Sequence, residues 1–308
     1  MHNGKSLIAA GATAASRNKR YVVWFFLLNL ALAWIGAVAF TARAQGILDH
    51  SLYADKLLHG FDLGVLLEML GRPEFRPMRS STAPANMCAI VFFLASLLFM
   101  PGVLLGYSSD HCISRQEFFR ACGHNLWRFV RLFVFYVVIA GIIAGILFSL
   151  QGALVKAVDE SANDDRLPLL AQWVSMAVIF LILTLVRAWF DVAQTDVVLR
   201  DEGAVRKSIA WAFRATRRNL GRLLGTYVLI ALVGLIVLTV GILIWHAIVP
   251  PASVVGAFLV SQAILLLLLA MRFWQRASAV AFYLRQITEP AMEIRSAPAV
   301  PVPALSQP

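Results

Sequence analysis

Long apolar runs alternate with short polar segments along this chain of 308 residues, near 21–42, 87–107, 129–150, 169–190, 223–247 and 253–275. Each run reaches the roughly 20 helical residues needed to cross about 30 Å of hydrocarbon. None carries an acidic residue, and Lys or Arg, where present, sits toward one end. Lipid offers no partner for backbone N–H and C=O groups, so a spanning run of this kind must be helical. The expected fold class is all-α, a polytopic membrane protein with six transmembrane helices in one domain over 21–287. A tail (1–20) too short and polar to pack precedes the domain, and a Pro/Ala-rich tail (288–308) expected to be disordered follows it.

The polar segments carry a helical period of their own. Ser114 and Glu117 form a capping box, which predicts a helix start there. At about 100° per residue, Phe118, Phe119, Cys122, Leu126 and Phe129 then share one face. Glu117, Arg120, His124, Arg128 and Arg131 share the other. A second amphipathic helix is predicted over 205–220, with Val205, Ile209, Ala212, Phe213, Thr216 and Leu220 as its apolar stripe. Arg206, Lys207, Arg214, Arg217 and Arg218 flank or oppose that stripe. Both read as interfacial helices that lead into spans. In the longest loop, 43–86, Leu57, Leu58, Phe61, Val65 and Met69 predict one or two amphipathic helices on the membrane surface, a lid over a site being the other reading. Residues 151–168 form an acidic loop, and Pro101-Gly102 predicts a kink in the second span.

Two residue matches point to duplication. Phe119-Arg120-Ala121, Asn125-Leu126 and Arg128 recur as Phe213-Arg214-Ala215, Asn219-Leu220 and Arg222. Arg187, Trp189, Leu199 and Arg200 recur as Arg272, Trp274, Leu284 and Arg285. Together they predict a parallel internal repeat of an interfacial helix and two spans, covering 114–200 and 204–285. The first two spans show no residue match that would make them a third copy.

Composition agrees with the membrane class. The chain is 60% hydrophobic and 14% charged, against roughly 45–50% and about 25% for soluble domains. The +10 net charge lies beside the spans, which argues for anionic lipid head groups as partners and against nucleic acid. With the N-terminus inside, the inner segments hold 20 of the 27 Lys and Arg. The positive-inside rule then places both termini in the cytoplasm, with a bacterial inner (plasma) membrane as the expected location. Ala42-Arg43-Ala44 resembles a signal-peptidase site, so a cleaved signal peptide is the competing reading of the first span.

Candidate chemistry is sparse. His111, Cys112, Cys122 and His124 could ligate zinc, but on a helix Cys122 and His124 point about 160° apart, so no metal site is expected. Asp191, Asp196, Asp201 and Glu202 read as partners for nearby arginines rather than as a catalytic group. No nucleophile, acid–base pair or cofactor motif stands out. Gly102/Gly106, Gly141/Gly145 and Gly221/Gly225 read as close-packing pairs. The predicted lipid-phosphate contacts are Arg206, Arg214, Arg217 and Arg218. Arg187, Asp191, Asp196, Arg272 and Arg276 are predicted to form ion pairs between the repeats, with an aspartate reaching Arg272 or Arg276.

The span order, the interfacial helices, the Arg-x-Trp-x-Asp segment at Arg187–Asp191 and FRATRRNLGR after it resemble the six-helix membrane domain of some bacterial glycerophosphodiester phosphodiesterases. The resemblance covers residues 20–287 and implies the same membrane fold. The catalytic His and carboxylates of those enzymes' soluble domain are not found in this sequence, so it carries over no active site. The expected role is non-enzymatic, binding anionic lipid or organising other membrane components, with another membrane protein as a candidate partner. A transporter or lipid-translocating protein with a cavity between the repeats is the alternative. A path lined by Asn29 and Gln262 would serve it.

Overall fold

The structure is a computed structural model that describes residues 6–48, 83–109, 111–161, 166–201, 203–250 and 253–296. Among the described residues it holds eight helices and no strand: α1 (Leu7–Arg17), α2 (Lys19–Leu48), α3 (Ala83–Ser108), α4 (Arg115–Ser161), α5 (Arg166–Leu199), α6 (Val205–Arg218), α7 (Leu220–Ile248) and α8 (Val254–Ser296). All but α1 and α6 are long and apolar enough to cross a membrane. Their outward sides expose large side chains such as Trp34, Ile146, Trp173, Ile236 and Leu259, the surface that lipid would cover.

The spans pair as three hairpins, α2/α3, α4/α5 and α7/α8. At the end where each hairpin begins, a lead-in segment packs on the second span of the preceding hairpin. The first turns of α4 lie on α3, α6 lies on α5, and α1 closes the ring on α8. The core sits at this basic end. It runs through Met100–Tyr107 of α3, Cys122–Leu132 of α4, Val186–Val197 of α5, Leu223–Ile230 of α7 and Phe273–Tyr283 of α8. Toward the far ends few described residues are buried, among them Gln151, Ile179 and Gly241. The bundle is thus a packed base from which the spans rise.

Several sequence expectations need correction. The described part of the polar tail, 6–20, packs after all. Ser6 caps α1, its Oγ accepting the Ala9 N–H at 3.2 Å, and Leu7, Ala10 and Gly11 are buried. The reason is a face of small residues rather than large apolar ones. A Cβ on Gly11 would lie 2.9 Å from the Ser278 Cα, so only glycine permits this approach. Likewise α8 continues to Ser296, into the tail expected to be disordered, and residues beyond 296 lie outside the described ones. The amphipathic stretch predicted from Leu57 to Met69 also lies outside them; of the loop 43–86 only the end of α2 and the start of α3 are described. The acidic loop is shorter than expected, since α4 runs to Ser161 and α5 begins at Arg166.

The capping box forms as predicted: Ser114 N–H donates to Glu117 Oε2 at 2.8 Å, and Glu117 N–H to Ser114 Oγ at 3.2 Å. It starts a helix of 47 residues that includes the third span without a break. Its buried face is rotated from the predicted one. Cys122, Asn125, Phe129 and Leu132 turn inward, while Phe119 and Leu126 are exposed. Asn125 tolerates burial because its amide donates to its own helix, to Ala121 C=O at 3.1 Å. In α6, Phe213 is exposed, as is Leu220 at the start of α7, and Ser208 and Ala215 take inward places. Of the glycine pairs, Gly102/Gly106 meets Phe118, Cys122 and Tyr21 closely. A Cβ on Gly141, Gly145, Gly221 or Gly225 would meet open space. Pro101 sits inside α3, which continues through it.

Replacing Gly11 by Val should dislodge α1 from α8, since overpacking costs about 1–3 kcal/mol. The expected readout is a lower melting temperature in detergent with faster proteolysis before residue 20. An unchanged protein would show that the α1 contact contributes little.

Candidate functional site

A cavity of ≈ 430 Å³ opens between α2, α3, α4, α5 and α8. Its two sides differ in chemistry. One is built by Arg187, Asp191 and Gln194 of α5 with Arg272 and Arg276 of α8, the other largely by Phe92 and Phe93 of α3 with Phe133 and Tyr136 of α4. Residues 187, 191 and 194, and 272 and 276, recur at helical spacing, so each helix turns one polar stripe to the same space. Counted at about 1.5 Å per residue from the far end of each helix, Arg187 lies about 32 Å along α5, and Arg272 and Arg276 about 27 and 33 Å along α8. That is the boundary of a hydrocarbon layer about 30 Å thick. Beyond this level both helices enter the packed base, where Val192, Ala193, Ala277 and Ala279 are fully buried.

Arg187 Nε stands 4.0 Å from Asp191 Oδ2, one turn away on its own helix. The same carboxylate oxygen accepts the Tyr227 hydroxyl of α7 at 2.8 Å. One step deeper, Asp196 accepts the Tyr283 hydroxyl of α8 at 2.9 Å and lies 3.5 Å from Arg200 Nε. Helix α5 is therefore joined to α7 and α8 by buried tyrosine–aspartate hydrogen bonds. This corrects the ion pairs expected between Asp191 or Asp196 and Arg272 or Arg276, of which none within 4.0 Å occurs among the described residues. Each aspartate already has an arginine on its own helix and a phenol from a facing one. Tyr227 and Tyr283 read in sequence as apolar bulk, and the missed signal is that a buried phenol requires a partner.

Arg272 and Arg276 consequently lack an ion-pair partner within that range among the described residues. Among the described residues, the charged and titratable groups around Arg276 include Asp191, Arg187, Tyr227 and Tyr107, of which Asp191 is the acid, and Arg272 stands beside the like charge of Arg187. Arg276 Nε and Gln194 Oε1 are buried without a hydrogen-bond partner. Asn29 and Gln262, the suggested path residues, do not line the cavity.

The other predicted contacts are at the base. Arg206, Arg214, Arg217 and Arg218 of α6 are all exposed, opposite the buried face that includes Val205, Ser208, Ile209 and Ala212. Arg206 and Arg214 join Arg200 and Lys207 in an open groove of ≈ 410 Å³, while Arg217 and Arg218 do not line it. Cys122 is buried and donates to Phe99 C=O at 3.8 Å. His124 is exposed and lies 2.8 Å from Asp201 Oδ1, an oxygen that also accepts from Arg128. Among the described residues no three His, Cys, Asp or Glu side chains converge on a metal position. Glu202 lies outside the described residues. Asp201 follows α5 with φ 53°, the left-handed conformation that Asp adopts more readily than most residues.

One pattern recurs at all three lead-in segments. Asn18, Asn125 and Asn219 each donate Nδ2 to the carbonyl four residues earlier, on Ala14, Ala121 and Ala215, at 3.2, 3.1 and 3.3 Å. Trp189 and Trp274 each donate the indole N–H at 2.9 Å to an isoleucine carbonyl of the helix packed on them, Ile209 of α6 and Ile8 of α1.

Tyr227→Phe should leave Asp191 short of a buried donor and cost about 1.5–3 kcal/mol, read as a fall in unfolding midpoint in detergent. The exposed Asp201 should behave differently. Arg128 first, then His124, hold its carboxyl below the ordinary value of 3.8. A depressed value means that its stabilisation is complete above that pH and is lost as pH falls through the folded-state value beneath it. The melting difference between wild type and Asp201→Asn should therefore be small near neutral pH and absent in strong acid, where the carboxylate is protonated. A difference that persists in strong acid would contradict this pairing. Compared with known protein families, with curated proteins and with solved structures, the chain finds no match.

Proposed function

We propose that this chain is a non-enzymatic, multi-pass protein of a bacterial inner (plasma) membrane that binds anionic lipid at its basic end, with both termini in the cytoplasm. One observation carries the reading. Helix α6 is held by one buried face while Arg206, Arg214, Arg217 and Arg218 remain exposed beside the start of a span. Each such side chain near a charged leaflet contributes about 1 kcal/mol. The 20-to-7 distribution of Lys and Arg supports the orientation.

The alternative, transport or lipid translocation, draws on the cavity. The packed layer beneath Arg187 and Arg276 argues instead for a site that holds a ligand, because a path would have to cross Val192, Ala193, Ala277 and Ala279, all fully buried. As part of the same proposal, the hairpins with their lead-in segments are copies of one unit. The recurring asparagine and tryptophan contacts support this, and Asn18 with α1 extends the unit to the first hairpin. Kinship with the membrane domain of glycerophosphodiester phosphodiesterases rests, as a proposal, on span order and the Arg187–Asp191 segment.

Changing Arg206, Arg214, Arg217 and Arg218 together to Gln should reduce enrichment of anionic over zwitterionic lipid around the purified protein, measured by lipid analysis of nanodiscs made from mixtures. Unchanged enrichment in a folded variant would sink the reading. For orientation, reporter fusions after Glu160 should report the outside and fusions after Glu202 the inside. The reverse pattern would overturn the topology.

A further inference from the structure

We propose that the cavity between α3, α5 and α8 is a binding site for one phosphate group, held by Arg272 and Arg276 with Arg187 beside them. The inference rests on the lipid-binding reading and extends it to a second site, which shares no lining residue with the α6 groove, and its test separates the two.

Charge carries the first part. Among the described residues three guanidinium groups line this space with one carboxylate, Asp191. That carboxylate is already engaged by Arg187 and by the Tyr227 hydroxyl. Two positive charges are left over at the boundary of the hydrocarbon, where ionisable side chains are costly and mark functional sites. A structural ion-pair network would balance them, and this one does not. At the position where α5 places Asp191 one turn after Arg187, α8 places Arg276 one turn after Arg272.

Unmet hydrogen bonding carries the second. Arg276 Nε is buried without an acceptor. A buried donor left unpaired is destabilising, more so for a charged group, so an acceptor from outside the chain is called for. Phosphate oxygens meet the guanidinium fork in paired hydrogen bonds, a geometry that a single carbonyl or a chloride ion does not match. Gln194, whose Oε1 is also buried and unpaired, stands ready to accept a hydroxyl hydrogen of a head group.

Shape carries the third. At ≈ 430 Å³ the cavity falls within the roughly 300–1,000 Å³ usual for ligand sites. Its aromatic wall of Phe92, Phe93 and Phe133 suits the start of an acyl chain, and basic pockets between spans at this depth suit lipid head groups. Two sources offer the same phosphate chemistry, an anionic phospholipid from the membrane and free inorganic phosphate.

The test uses the full chain purified in a neutral detergent. Native mass spectrometry follows retention of phosphatidylglycerol against a diacylglycerol with the same chains, and thermal unfolding follows added inorganic phosphate. Wild type should retain one phosphatidylglycerol at least tenfold better than diacylglycerol. Arg272→Gln/Arg276→Gln should lose that preference, while the α6 quadruple Gln variant should keep it. Ser96→Phe, which fills the cavity and leaves the arginines in place, should lose it as well, and it decides the matter alone if the double variant does not fold. Stabilisation of wild type but not of these variants by inorganic phosphate, without lipid retention, would assign the site to free phosphate. Equal retention of the neutral lipid, full binding by either cavity variant, or no response to either phosphate source would overturn the proposal. Loss of lipid enrichment in the α6 variant with the cavity preference intact would leave this site standing.

Discussion

The buried carboxylate of Asp191 is the point on which the packing of the spans depends. It is 5% exposed, yet it receives an arginine from its own helix and a phenol from α7. Removing a partner from a buried charge costs about 3–5 kcal/mol, although exchanging the whole group for well-packed apolar side chains is often neutral. Its worth therefore lies in geometry. A hydrogen bond from Tyr227 fixes the rotation of α7 against α5. Tyr283 fixes α8 against α5 in the same way, through Asp196.

That geometry explains why the base is closely packed and the spans above it are not. Small residues let lead-in segments and spans approach closely, as Gly11 does at Ser278 and Gly102 does at Phe118. Within lipid there is no hydrophobic force driving apolar helices together, so packing there relies on shape and polar contacts. Gly141 and Gly145, facing open space, supply neither close contact nor a partner. The polar contacts collect at the base, and the cavity with its surplus arginines opens just where they stop.

Much of this was legible in the sequence, because the membrane imposes a length and a composition that few other folds share. The six spans and the capping box at Ser114 followed from those rules. The packing of α1 did not, since IAAGATAA buries small side chains that apolar periodicity does not detect. The inward rotation of Asn125 was hidden by its polarity, although an amide bonded within its own helix is no longer costly to bury. At the site, the arginines and aspartates were identifiable by charge and spacing. Their partners were not, because Tyr227 and Tyr283 lie among apolar residues and nothing local shows which carboxylate a phenol will reach.

The central claim is that the arginines left over in the bundle hold a phosphate group. Its most direct test is the experimental structure of the full chain in nanodiscs containing an anionic phospholipid, at a resolution that shows side chains. The account predicts density for a phosphate within hydrogen-bond distance of Arg272 and Arg276, continuing as an acyl chain along Phe92 and Phe133 if its source is lipid. An empty cavity, or an acid of this chain brought onto Arg272 and Arg276 to neutralise them, would contradict it.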